Sequence, residues 1–341
     1  MNDIIKKILT LKDDYNMIRV DDVYTDKWIG RHYGSTQPGR MGKKGYTEEE
    51  FDEVINSLKE LIKYQKDLKN FIFYYNGERG PEYPEFERIL KELKKEYPNS
   101  KFICIYNDWR EFPDTEFTYI ISLNYWIDVW HDNKENHENI VNIGNNHKRT
   151  KLFISKNRGD NISGSRRKWV DFMKKNNLLE DAHYSIGWEG KWLEDDVGES
   201  TTGMNGPDDY KVIDFYKDVF VEVVTESLIG YESIGHGYYN SEKLWRPFLM
   251  GVIPMIITFP NVNVHLTDMG FDMFDDVIDT SFYEYENFEK QFEIINKNLK
   301  IVKNDLVVDG RFREDIWDRL KNNQKHFLNQ DSIENYLRKI I

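Results

Sequence analysis

The stretch Ser241-Glu242-Lys243-Leu244-Trp245-Arg246-Pro247-Phe248-Leu249-Met250-Gly251-Val252-Ile253-Pro254-Met255-Ile256-Ile257-Thr258 decides the fold. An acidic–basic pair opens an amphipathic helix, Gly251 closes it, and an apolar strand from Pro254 to Thr258 follows at once. A helix feeding directly into a buried strand is a unit of an α/β sheet. The start of such a helix presents unpaired backbone N–H groups and the positive end of the helix dipole, so it favours anions. Lys243 adds a mobile cation there, and Glu242 can accept hydrogen bonds from sugar hydroxyls. The pair suits a nucleotide-sugar, with Glu on the ribose and Lys on the diphosphate. A solvated Glu–Lys pair on an ordinary helix has the same spacing, so the pattern alone leaves both readings open.

Outward from this unit, strands alternate with helices, which predicts parallel sheets. Upstream lie a helix over Glu48–Asp67, with an apolar stripe of Phe51, Val54, Ile55, Leu58, Leu61 and Ile62, and strands over Phe71–Tyr75, Lys101–Tyr106 and Thr118–Leu123. A helix over Glu85–Tyr97 separates the first two strands. Asp132–Arg149 is polar and aperiodic and reads as a linker. A second series follows: a strand over Leu152–Ser155, a polar turn, a helix over Arg166–Asn176, strands over His183–Gly187 and Val219–Thr225, and a polar loop over Gly190–Asp209. Val277–Ile278 reads as a short strand, and Phe288–Asn304 and Phe312–Ile341 as helices. The expectation is an α/β protein of two Rossmann-like domains facing across a cleft: residues 1–145, residues 146–311, and a C-terminal helical segment 312–341 returning to the first domain.

Composition narrows the function. A chain of 341 residues suits two α/β domains, and its 15% aromatic residues can build a sizeable core. A formal net charge of −13 argues against binding nucleic acid or anionic membrane through the overall field. A single cysteine, Cys104, rules out an intrachain disulfide and a cysteine-based zinc site. Met1–Tyr15 lacks the apolar run of a signal peptide, and Phe248–Phe259 is too short to span a bilayer. The expectation is a cytoplasmic protein; residues with AT-rich codons suit a bacterium, a phage or a large virus.

Other residues could carry chemistry. The turn after Leu152–Ser155 holds Lys156 and Arg158, and Arg166 stands at the start of the next helix, where a cation is unfavourable unless an anion or solvent compensates it. These residues could grip a phosphate; a solvated basic turn is the plain alternative. The chain has no Asp-x-Asp pair of the kind that holds Mg²⁺ or Mn²⁺ in many sugar transferases, so the expected metal set is none, and cations with a helix dipole would stabilise a departing diphosphate. No cofactor is expected beyond a nucleotide-diphosphate sugar as co-substrate. His236, between Gly235 and Gly237, precedes Tyr239 and Ser241, and an aromatic there could stack on a nucleobase. Glu78 and Asp108 follow strands in the first half and are candidates for the base that takes a proton from an acceptor hydroxyl.

Ser241-Glu242-Lys243-Leu244-Trp245 with Gly251 to Pro254 resembles the Thr/Ser-Glu-Lys-Leu-Trp…Gly-x-x-Pro motif of the α-1,3-fucosyltransferase type of GT-B glycosyltransferase. The segment Leu266–Phe274 is similar to one in glycosyltransferases of phages and bacteria, which also begin their second domain with a strand and an Asn-Arg turn like Phe153–Arg158. The resemblance spans roughly residues 150–280 and departs upstream, where Thr225-Glu226-Ser227 stands in place of Glu-Asn-Ser. It implies a GT-B fold with Glu242 on the donor ribose, Lys243 on the diphosphate, Arg158 assisting and Tyr239 at the family's aromatic position. The implied activity is an inverting, metal-independent hexosyl- or pentosyltransferase; the resemblance does not extend to the acceptor, for which the net charge suits a glycan or small-molecule hydroxyl. Two alternatives remain: a phage-type transferase acting on hydroxymethylated DNA bases, and a non-catalytic nucleotide-sugar-binding protein.

Overall fold

The computed structural model of the protein describes residues 15–19, 48–63, 70–74, 83–106, 118–121, 143–157, 164–188, 191–195, 213–226, 242–258 and 260–329. These fall into two compact units, the first containing the described residues up to 121 and the second those from 143 onward.

The first unit is a four-stranded parallel sheet of β1 (Tyr15–Arg19), β2 (Asn70–Tyr74), β3 (Lys101–Tyr106) and β4 (Thr118–Ile121), in that spatial order. α1 (Glu48–Lys63) lies between β1 and β2 in the chain and α2 (Tyr83–Glu96) between β2 and β3. Ile55, Leu58 and Ile62 of the expected α1 stripe are buried, with Ile89, Leu90 and Leu93 of α2. Phe71 and Phe102 meet edge-to-face at 5.6 Å between ring centroids, a geometry that suits the aromatic quadrupole. β1 was not expected: its sequence, Tyr-Asn-Met-Ile-Arg, has too few apolar residues to register as a buried strand.

The second unit holds a five-stranded sheet ordered β7-β6-β5-β8-β9. Its strands are β5 (Phe153–Lys156), β6 (Ala182–Trp188), β7 (Lys191–Asp195), β8 (Val221–Thr225) and β9 (Ile253–Ile257). All neighbours pair in parallel except β6 and β7, which are antiparallel. β7 corrects part of the expected polar loop: charged residues at Lys191, Glu194 and Asp195 hide a strand at the sheet edge, where such residues discourage further pairing. Around the sheet stand α3 (Ser165–Lys175), α4 (Ile213–Lys217), α5 (Glu242–Met250), α6 (Val262–Asp268), α7 (Phe288–Ile301) and α8 (Glu314–Leu328). No helix among the described residues is long and apolar enough to cross a membrane.

Local chemistry sets the ends of these elements. Gly251 adopts φ +67°, and Val252 N–H donates to Pro247 O at 3.1 Å, so α5 closes in a Schellman turn where the sequence places it. The expected strand at Val277–Ile278 is instead a turn, with both N–H groups donating to Phe274 O. Beyond α7, a hairpin of β10 (Val307–Val308) and β11 (Arg311–Phe312) turns at Asp309 and Gly310, both at positive φ, the left-handed pair that an Asp-Gly hairpin turn requires.

The expected linker is, in its described part, integral to the second unit. Asn145 donates to Phe312 O at 2.8 Å and accepts from Phe312 N–H at 3.1 Å. Arg149 N–H donates to Gly310 O at 2.8 Å, and the Arg149 guanidinium is caged by the rings of Phe220, Phe312 and Trp317 at 4.8–5.5 Å. Burial holds this guanidinium down, to about 10, with Asp218 pulling the other way. The described part of the segment 312–341 packs on the second unit as well. Gln324 donates to Leu249 O at 2.6 Å, Trp245 stacks on Phe327, and Arg319 pairs with Asp272 and Asp276.

Candidate functional site

The strand order creates one distinctive place. β5 feeds α3, which leads to β6 on one flank; its neighbour β8 feeds α5, which leads to β9 on the other. Chains leaving two adjacent parallel strands therefore depart in opposite directions, and such a switch point opens a crevice at the carboxyl ends of the strands, where ligands of open α/β sheets bind. The register pairs Ile154 with Glu222, so Ser155 and Glu222 lie on opposite faces. α3 covers the first face, with Trp169 Nε1 donating to Ser155 Oγ at 3.1 Å. α5 covers the second, where Arg246 Nε donates to Glu222 Oε1 at 2.8 Å and Nη2 makes a second contact to the same oxygen.

Three of the expected phosphate-binding residues stand on the elements that frame this switch point. Lys156 ends β5 and is 8% exposed; Arg166, in the first turn of α3, is 5% exposed; Lys243, in the first turn of α5, is 4% exposed. None is a solvated surface cation. Arg166 escapes the unfavourable dipole of its own helix by reaching across the crevice, where Nε and Nη2 both donate to Thr225 O at 3.3 Å at the end of β8. Burial pushes the Glu222 carboxyl up, while Arg246, and less strongly Lys156, pull it back.

Charge is distributed unevenly. The described residues bury five cations, Arg149, Lys156, Arg166, Lys243 and Arg246, against two carboxylates, Glu222 and Glu226. All but Arg149 of these cations belong to the elements that frame the switch point, in a chain whose net charge is −13. Asn157 Oδ1 after β5 and Thr225 Oγ1 at the end of β8 are also buried, with no hydrogen-bond partner among the described residues. Buried cations beside helix starts are surroundings that suit an anion.

The side chains of the remaining expected site residues fall outside the described residues. Glu242 opens α5, but its side chain is outside the described residues, as are Glu78, Asp108, Arg158, His236, Tyr239 and Ser241. No group of three or more His, Cys, Asp or Glu that could hold a metal stands together among the described residues. The Glu222–Arg246 pair was missed, although a lone Glu inside Val221-Glu222-Val223-Val224 signals a strand carboxylate that must find a buried partner.

No protein-family model matches the chain, and no curated protein matches it significantly. A solved structure of an alpha1,3-fucosyltransferase with GDP-fucose is similar at 14% identity over 85% of this chain and 90% of that one, with a TM-score of 0.35. A likeness at that level carries no argument about this chain, whose reading rests on the switch point and its buried cations.

Proposed function

We propose that this protein is a glycosyltransferase of the GT-B type that moves a sugar from a nucleotide-diphosphate donor to a hydroxyl acceptor. One observation carries the reading: Lys156, Arg166 and Lys243, each buried, stand on the strand end and the helix starts that frame the switch point of a parallel sheet. A diphosphate leaving group takes up negative charge as its bond to the sugar breaks, and preorganised cations and helix N–H groups stabilise that charge without solvent reorganisation. Arg158 joins these cations, Glu242 accepts from the ribose hydroxyls, and Ser241, Tyr239 and His236 line the base side. The buried cations support a metal-independent reaction, because they supply the neutralisation that a divalent ion gives elsewhere.

The acceptor oxygen forms its bond to the anomeric carbon on the face opposite the diphosphate. The carbon–oxygen bond to the diphosphate breaks, its electron pair leaving with the phosphate, and the acceptor proton passes to Glu78 or Asp108. This sequence inverts the configuration. The test is a thermal-shift panel of UDP, GDP, dTDP and CMP with their sugar conjugates, with and without EDTA. Stabilisation by one nucleoside diphosphate, unchanged by EDTA, is the expected result. No shift with any member would refute the donor site, and a shift with neither transfer nor donor hydrolysis would indicate a binding protein.

A further inference from the structure

The buried Glu222–Arg246 pair lies beneath the diphosphate site, and the proposed reaction does not use it. Its placement follows from a defect in α5. Pro247 stands inside this helix and has no N–H, so the carbonyl of Lys243, four residues back, receives no helical hydrogen bond from it. The first turn, which carries Glu242 and Lys243, therefore lacks a bond that would tie it to the body of the helix. Arg246 belongs to that same N-terminal piece, three residues after Lys243 and so on a neighbouring face. Its guanidinium crosses to β8 and holds one oxygen of Glu222 with two nitrogens, and both side chains are fully withdrawn from solvent, at 4% and 0% exposure.

We infer that Glu222 is a positioning residue: through Arg246 it fixes the first turn of α5 over the carboxyl ends of β5 and β8, and thereby sets the affinity of the site for a diphosphate it does not touch. The inference rests on the diphosphate reading above. A stability role alone explains the pair poorly, because apolar residues of similar size in place of a buried ion pair are often neutral or stabilising. A pair retained to orient a turn should instead be replaceable for folding but not for binding.

That difference is measurable by titration calorimetry of the full chain with inorganic pyrophosphate. The proteins compared are wild type, Lys243→Ala and the double variant Glu222→Met/Arg246→Met. The double variant is expected to melt at or above the wild-type temperature and to bind pyrophosphate about tenfold more weakly or worse, as displaced binding groups do. A double variant that folds and binds as tightly as wild type overturns the inference. Should it not fold, Glu222→Gln, which keeps the shape and one oxygen for Arg246, carries the comparison. A weaker affinity at an unchanged melting temperature supports positioning, and wild-type affinity refutes it. Wild-type protein that binds no pyrophosphate refutes the diphosphate reading itself. Binding that Lys243→Ala abolishes but the double variant retains refutes only the role of the pair.

Discussion

Replacing Lys243 by alanine is the most direct test of what the switch point binds. Lys243 is 4% exposed as a residue, so most of the cost of taking it out of water has been met before any ligand arrives. At about 4 Å from a phosphate oxygen and an effective dielectric near 20, its attraction is roughly 4 kcal/mol. Part of that is lost to the desolvation of the phosphate, and Lys156 and Arg166 remain to compensate. The net value of one charge-assisted hydrogen bond, about 1.5–3 kcal/mol, is the better figure. It corresponds to a Kd for a nucleoside diphosphate weakened roughly 10- to 150-fold. Because the cation is buried, the ratio between wild type and variant should change little as salt is raised, unlike that of an exposed pair. Calorimetric titration at two ionic strengths measures this, with Lys243→Arg as the charge-retaining control. Stability should fall by no more than about 2 kcal/mol, since alanine favours the helix and only the lysine stem is lost from the packing. A Kd within threefold of wild type would refute the assignment. So would a large loss of stability with affinity intact, which would make Lys243 a structural residue.

Three further substitutions probe the frame that holds the site. Trp245 is fully buried between Phe248, Phe271 and Phe327, so Trp245→Ala should cost about 3–5 kcal/mol in urea unfolding. Gly310→Ala should cost about 1–2 kcal/mol, because φ is +75° and the added Cβ would stand 3.3 Å from Arg149 O; a neutral result would remove the hairpin as a structural element. Burial raises the Asp218 carboxyl, but the N–H and hydroxyl of Thr150, together with His183, outweigh burial and hold it below the usual value of 3.8. A carboxylate depressed in the folded state stabilises above its unfolded value and loses that contribution as pH falls through the folded one. Asp218→Asn should therefore be less stable than wild type by about 1–2 kcal/mol near neutrality, and the difference should vanish in acid below the ordinary carboxylate range. A gap independent of pH in chemical denaturation would refute the charge argument.

What the sequence revealed depended on how local the signal was. The Lys243 helix, its Gly251 stop and β9 are written in sixteen consecutive residues, Glu242 to Ile257, and appear within one residue of where expected. Lys156 and Arg166 were legible as cations flanking one turn, but not as buried ones, because the carbonyl that receives Arg166 belongs to Thr225, 59 residues away. Glu222 and Arg246 escaped for the same reason, their pairing being set by sheet register. β7 and β1 were hidden by polar composition, and the Val277–Ile278 reading failed because two β-branched residues fit a turn as well as a strand.

Asn145 and Phe312, 167 positions apart, exchange two hydrogen bonds, and this has a consequence for biosynthesis. At elongation rates of about 5–20 residues per second, the first partner waits on the order of 10–30 s for the second to be made. During that interval Arg149 has Phe220 as a neighbour but not Phe312 or Trp317, so its cage is assembled last. A nascent chain halted before the hairpin would hold every strand of the five-stranded sheet and still lack its final clasp. A recombinant fragment begun at residue 151 would carry the same defect permanently, with the ring faces of Phe312 and Trp317 left without the guanidinium they enclose.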